Sequence, residues 1–399
     1  MPRKKLLLLG GSRFLRPAIE SAHRHGYHVI TCDNIPGNFA HQIADESYNV
    51  SIIDKDAVLK LASSLNVQGI LSFATDPGVV TAAYVAERLG LPTSPYDSVC
   101  VLQDKALFRN YLRRNDFCTP QFFVVSASDG EMPEISFPAI VKPVDLAGSK
   151  GVAKVENMDE LAPAVASACE MSRSGRSIVE EYLEQVGYSS GSDSFAVDGE
   201  FVILSFDDQH FNKAAASQFV PVAHTWPSTM PELYQTKLRI ELQRLISLLN
   251  MQTTLFNIEA RVAQKDGDAY IMEVSPRAGG NRLAEMLHLA SGVDVIDIAV
   301  QAAVGDSFDK PTPVTDFELI GEMILHSNTQ GQFQSIVIDP IVEKENVAEL
   351  DLWVNPGDKV QPFMTASDAI GTLVLRFDSA QQQIDLMSSY NEWIKVTVL

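Results

Sequence analysis

The chain has 399 residues, 46% of them hydrophobic and 21% charged, with a formal net charge of −20. That length calls for two or three packed units rather than one core, and the apolar fraction argues against disorder. So acidic a chain, with no long Lys/Arg run, excludes the basic face of a nucleic-acid binder, and any phosphate site must be a locally positive pocket in a negative protein.

Met1-Pro2-Arg3-Lys4-Lys5 precedes four leucines, but the apolar run stops at Gly10-Gly11. This is short of the roughly 7–15 residues of a signal-peptide core. No stretch approaches the roughly 18 apolar residues of a membrane span, so the expected location is cytoplasmic with no membrane partner. Cys32, Cys100, Cys118 and Cys169 lie far apart without metal-type spacing and read as reduced thiols.

Residues 6–9 read as a buried strand followed by a helix containing Ile19 and Ala22. His28–Cys32 and Ile70–Phe73 are further short strands, and a helix runs from about Pro77 to Leu89. Alternating strands and helices predict a parallel sheet over residues 1–95. Gly10-Gly11 after the first strand and Asp33 after the second resemble a dinucleotide site. However, Ser12, Phe14 and Leu15 break the G-x-G-x-x-G pattern, which disfavours a nicotinamide oxidoreductase.

Pro92 and Pro95 mark a boundary, and a helix is predicted from Asp104 to about Asn115. Short strands follow at Phe122–Val125, Ala139–Pro143, Val152–Glu156, Ser177–Leu183, Phe195–Val197 and Phe201–Phe206, interrupted by a helix over Met158–Met171. Asp198-Gly199 signals a hairpin between the last two. A helix over Glu232–Leu249 leads to a second hairpin, Leu255–Val262 with Ala269–Val274. Helices come next near Arg282–Ala290 and Val293–Val304, and a β-rich stretch runs from Phe317 onward.

Three segments carry chemistry. Val141-Lys142-Pro143 leads into Gly148-Ser149-Lys150-Gly151. The glycines let backbone N–H groups approach phosphate oxygens, Ser149 adds a hydroxyl and Lys142 a point charge. The alternative is a plain hairpin turn. The second hairpin carries Glu259 and Glu273, with Lys265-Asp266-Gly267-Asp268 between its strands. A two-residue Asp-Gly loop places the two acids on opposite faces, and a three-residue loop with Gly267 left-handed places them directly across from each other. Facing carboxylates favour a cation between them, and Mg²⁺ shared with phosphates suits such ligands; otherwise they belong to a solvated face. Third, Arg277 follows Glu273 closely, and Gly279-Gly280 supply free N–H groups ahead of a helix, with Asn281 as its cap in the plainer reading.

Four features in order, Asp104-Lys105, the Val-Lys-Pro glycine loop, Val179-Glu180-Glu181-Tyr182-Leu183 and the Glu259 to Gly280 block, resemble the ATP-grasp superfamily over nearly the whole chain. The resemblance implies an α/β and α+β multidomain protein. It has a Rossmann-like preATP-grasp domain at 1–95 and a two-lobed ATP-grasp core at 96–310, with its small lobe at about 104–185. A β-rich C-terminal subdomain at 311–399 completes the large lobe. The resemblance also implies an ATP- and Mg²⁺-dependent ligase, with one or two ions and Mn²⁺ able to substitute. Such an enzyme joins a carboxylate, an amino acid or small acid, to an amine through an acyl phosphate. On the same ground Lys105, Lys142, Gly148, Ser149, Gly151 and Glu180, Glu181, Tyr182 and Leu183 bind ATP. Glu259 and Glu273 hold the metal. Arg277 is catalytic and, with Gly279, Gly280, Asn281 and His224, binds substrate.

Two departures from the family pattern stand out: Ser275 where many members have Asn, and no G-x-E ribose ligand between Gly187 and Asp193. His210 and His224 either line an acceptor pocket or serve as ordinary structural histidines. The same scaffold serves carboxylases, phosphoribosylglycinamide-forming enzymes and non-catalytic ATP-binding subunits. The expected partners are small molecules, with a homodimer as the default assembly.

Overall fold

The computed structural model describes residues 3–127, 132–212 and 217–399. The first unit is a four-stranded parallel sheet. Lys5–Leu9 sits between His28–Cys32 and Gly69–Leu71, and Glu46–Tyr48 forms the edge. Leu6 and Leu8 pack into one apolar cluster and Leu7 and Leu9 into another. Burial on both faces explains why this strand reads as an unbroken apolar run rather than an alternating one. The helix Asp76–Leu89 was expected; the helices Lys55–Leu65 and Tyr96–Gln103 were not. Pro95, read as a boundary, is the residue from which the second of these starts.

Phe122–Ser126, Arg176–Glu181, Ala139–Pro143 and Ala153–Val155 form an antiparallel sheet in that spatial order. The helix Met158–Met171 buries Leu161 and Val165 against Val125, Val141 and Val179. Beyond it, Glu200–Leu204, Ser190–Val197, Thr254–Val262 and Ala269–Ser275 make a second antiparallel sheet. Asp198 and Gly199, at φ 52° and 78°, form the two-residue turn that the Asp-Gly pair predicted.

The sheet near the C-terminus draws on chain from both sides of residue 310. Its order is Asp208–Phe211, Pro221–Trp226, Ile320–Leu325, Gly371–Arg376 and Val347–Leu352. The first two strands were not anticipated: Asp208–Phe211 is short and polar, and Pro221–Trp226 opens on a proline and carries no regular alternation. One face of this sheet, with Ala223, Met323 and Leu373, packs on Phe333 and Trp393. The other, with Trp226, Ile320 and Val374, packs on Leu283 and Met286 of the helix Leu283–Ser291.

Trp226 is fully buried, and its Nε1 lies 3.0 Å from both Ser192 Oγ and Ser205 Oγ, which ties the two large sheets together. Trp226→Ala removes that bond and opens a cavity, so it should lower unfolding free energy by about 3–5 kcal/mol. The urea midpoint of the full chain measures this.

Candidate active site

Lys142 and Glu180 are diagonal neighbours on one face of the sheet that holds Ala139–Pro143 and Arg176–Glu181, since Ile140 pairs with Glu180 and Lys142 with Ile178. Glu180 is buried, with Oε1 2.5 Å from Arg109 Nε and Oε2 2.5 Å from Lys142 Nζ. Burial alone would raise its pKa, but Arg109 and then Lys142 outweigh that and hold it at about 2. Burial presses the Lys142 ammonium below its ordinary value against the pull of Glu180, and Arg109 and Lys105 add to the pressure.

Lys105 opens the helix Lys105–Arg114, capped by Asp104, whose carboxylate accepts the N–H groups of Ala106 and Leu107. Lys105 Nζ donates to Leu146 O at 2.8 Å and lies 3.4 Å from Glu273 Oε2. Burial opposes its charge, but Glu273, Asp76 and Glu259 together raise its pKa. In the glycine loop Gly148, Ser149 and Gly151 all have left-handed backbones, at φ 67°, 58° and 71°. The Ser149 hydroxyl, expected for phosphate, donates to Phe219 O at 2.9 Å.

Glu259 and Glu273 stand directly opposite each other. Neither anticipated loop length produces this. The chain turns through Gln264, Lys265, Asp266 and Gly267, with the Ala263 N–H on Asp268 O and the Gly267 N–H on Ala263 O. That four-residue turn pairs Ala260 with Ile271, and a bulge at Met272 then shifts the register by one residue. Gly267 is left-handed as expected, at φ 66°. Burial and then Glu273 raise the Glu259 pKa, while Arg261, Lys142 and Lys105 oppose them.

The segment after Glu180 is fastened to the same hairpin. The Glu181 carboxylate pairs with Lys265 at 2.8 Å, Leu183 O accepts from Arg261 Nη1 at 3.2 Å, and the Val186 N–H donates to Val262 O. Tyr182 donates its N–H to Pro138 O, and Lys154 lies 4.7 Å from the centre of its ring.

Arg277 is nearly buried and anchored to the first unit. Its Nε and Nη2 lie 2.8 and 2.6 Å from Asp76 Oδ1, and its Nη1 donates to Ala278 O. Ser275, which stands where many family members have Asn, donates to Asp76 at 3.2 Å and accepts from Gln103 at 2.6 Å. The Gly279 N–H is not free, because it donates to both Asp193 oxygens at 2.8 and 2.9 Å. Nor does Asn281 cap the helix; with φ 49° it precedes Arg282, which holds the cap position at φ 66°. Asn281 Oδ1 is buried without a hydrogen-bond partner among the described residues, and Gly280 has open space where a side chain would stand.

His224 is buried, with Nδ1 2.5 Å from Asp207 Oδ2 and its ring stacked on Trp226. His210 bonds Thr225 Oγ1 at 3.0 Å, and burial and then His224 push its pKa down to about 4, so it is neutral at pH 7. Asp193, held by Gly279 and Asn257, is driven up to about 7 by burial against the Gly279 N–H, Arg277 and Asn257.

Sequence reasoning missed Arg109, Asp76, Asp193, Asp207 and Arg261. Arg109 was within reach of it, four residues beyond Lys105 on one helix face. The others have partners on distant segments.

Residues 135–285 match the family model described as an ATP-grasp domain. The carbamoyl phosphate synthase large chain of Thermoanaerobacter pseudethanolicus is 24% identical over 230 residues, 57% of this chain and 21% of that protein. The chain thus spans about a fifth of the length of that curated relative. An L-amino acid ligase from Bacillus licheniformis superposes with a TM-score of 0.82 at 20% identity, covering 100% of both chains. A phosphoribosylglycinamide synthetase from Anaerococcus prevotii gives 0.76 at 20% identity, also with 100% of both chains covered. Residues 135–285 thus match an ATP-grasp domain model, and the chain shares the fold of these two solved structures over its whole length. No helix among the described residues is long and apolar enough to cross a membrane.

Glu180→Gln should leave Arg109 and Lys142 without a countercharge, a loss of about 3–5 kcal/mol at neutral pH. The native carboxylate titrates near 2 rather than 4.5, so its contribution is complete above about pH 4.5 and fades as pH falls toward 2. Unfolding free energy measured against pH should therefore show a shallower acid limb in the variant.

Proposed function

We propose that the chain is an ATP- and Mg²⁺-dependent ligase that joins a small carboxylic acid to an amine and releases ADP and phosphate. One observation carries this reading: the facing acids Glu259 and Glu273 sit beside Lys105 and Lys142, and Arg277 follows on the same stretch of chain. The donor set fits a hard cation. Two carboxylates facing each other across a hairpin repel unless a positive charge lies between them. No group of three or more His, Cys, Asp or Glu residues among the described residues is placed to hold a metal ion, which leaves oxygens for phosphates and water to supply. Bound Mg²⁺ would neutralise charge on the phosphoryl oxygens as it transfers.

The reaction balances without a protein nucleophile. A substrate carboxylate oxygen bonds to the γ-phosphorus as the bond to ADP breaks. The amine nitrogen then attacks the acyl carbon, expelling phosphate and losing a proton. Lys105 and Lys142 place fixed positive charge at the phosphates. Glu180 and Arg109 act one step back by holding Lys142 in line. The Gly148–Gly151 loop offers backbone N–H groups, and its closure excludes water. Arg277 orients the acid and steadies the developing charge, with Asp76 fixing its fork. Segment 181–183 lies between the lobes where the adenine would rest.

The decisive experiment incubates the purified chain with Mg²⁺-ATP and a matrix of amino acids, small acids and amines, following ADP and phosphate. Release that needs both an acid and an amine supports the ligase; release with bicarbonate in place of an amine supports a carboxylase. Absence of ATP binding sinks the proposal. Arg277→Ala should lower turnover by a few orders of magnitude, about 10²–10³-fold, with ATP affinity nearly unchanged. Glu259→Gln should raise the Mg²⁺ concentration needed for half-maximal rate, read by titrating Mg²⁺ at fixed ATP.

A further inference from the structure

One group beside this site has no part in the chemistry above. Glu322 lies in the strand Ile320–Leu325, opposite His224, and is fully buried; neither of its carboxylate oxygens has a hydrogen-bond partner among the described residues. Its neighbours are spoken for. Asp207 takes the Ser190 hydroxyl, the Gly191 N–H and His224, and Asp193 takes Gly279 and Asn257. Arg282, the cation acting most strongly on Glu322, is engaged with Glu285, Glu349 and Thr372. Burial first, and then Glu285, Asp193 and Asp207 against Arg282, drive the Glu322 pKa well above its ordinary value. A buried acid left with open lone pairs is costly unless a proton or a ligand takes them up.

The missing partner is a cation that brings its own hydrogen-bond donors. A metal ion would find one open carboxylate here, because the oxygens of Asp193 and Asp207 already accept from protein donors. An ammonium needs only acceptors around it, and its three N–H groups suit this set. Asp193 joins the pocket to the reaction centre. Its charge acts on Glu322, and the same carboxylate holds the Gly279 N–H and attracts Arg277. A guanidinium and a partnerless buried acid thus both interact with one residue, opposite charges of the kind a zwitterion needs.

We infer that Glu322, supported by Asp193 and Asp207, receives the protonated amino group of an amino acid whose carboxylate is held at Arg277, which makes an amino acid the acid that is activated. This rests on the ligase reading.

The test is calorimetric titration of the full chain, loaded with Mg²⁺ and a non-hydrolysable ATP analogue. The ligands are the common L-amino acids and the matching acids lacking the amino group. At least one amino acid should bind about tenfold or more tighter than its counterpart. Glu322→Gln should abolish that preference without altering nucleotide affinity, and Glu322→Asp, which keeps the charge, should retain part of it. Thermal unfolding of each variant establishes that it folds, and Glu322→Asp decides the matter if the amide does not. Equal binding with and without the amino group, a preference that survives in Glu322→Gln, or nucleotide binding with no amino acid bound would each overturn the inference. If the analogue itself fails to bind, the ligase reading falls. The same titration without nucleotide then decides the pocket: a preference that depends on Glu322 upholds it, and none overturns it.

Discussion

Two negative charges, Glu259 and Glu273, face each other across a hairpin, and much of the surrounding structure answers that pairing. The facing depends on one extra residue, Met272, because the four-residue turn alone would leave the acids out of register. Left to themselves the two carboxylates would repel, and burial would amplify the repulsion. Lys105, Lys142 and Arg261 supply opposing charge from a helix, from the strand Ala139–Pro143 and from the hairpin itself. A chain with net charge −20 has built a positive setting where its acids would otherwise be least tolerable.

The same hairpin fastens the segment that follows Glu180. Its tip holds Glu181 through Lys265, and its first strand holds Leu183 O through Arg261 and bonds the Val186 N–H. Segment 181–186 therefore cannot shift without disturbing the strand that carries Glu259. Lys105 is held by the Asp104 cap, by its own N–H on Val144 O, and through Asp104 by Arg176 at 2.6 Å. The buried Arg109–Glu180–Lys142 set fixes the second lysine. A charge presented by a rigid framework costs little to reorganise during a reaction.

Past the second acid the chain enters a strained turn, with Asn281 and Arg282 both left-handed, and reaches a polar interior instead of an apolar one. Asp76 draws Arg277 toward the first unit, and Asp193 draws Gly279 toward the serine-rich strand. A Cβ at residue 279 would meet the side-chain ends of Leu283, Asp193 and Asn257 at 2.5–2.9 Å, so a larger residue there would displace the groups that hold the turn. Backbone strain held in place by several partners is the usual condition of a binding site.

Much of this was legible in the chain itself. Period-two alternation in 256–262 and 270–274, the Asp198-Gly199 turn and the helix over Met158–Met171 follow from spacing and turn chemistry, which act within a few residues. Local pattern also singled out Lys142, Glu259, Glu273 and Arg277 as candidates, whereas Lys105 came from the family resemblance. What the tertiary structure alone decided are relations between distant segments. These include the bulge that makes two acids face each other, the loss of the Gly279 N–H to Asp193, the commitment of Ser149 and Ser275 to Phe219 and Asp76, and the union of 208–226 with 320–376 in one sheet. Local sequence specifies which groups a backbone can present. Which partner each buried charge meets is a balance of desolvation against pairing, and that balance exists only once the segments are packed together.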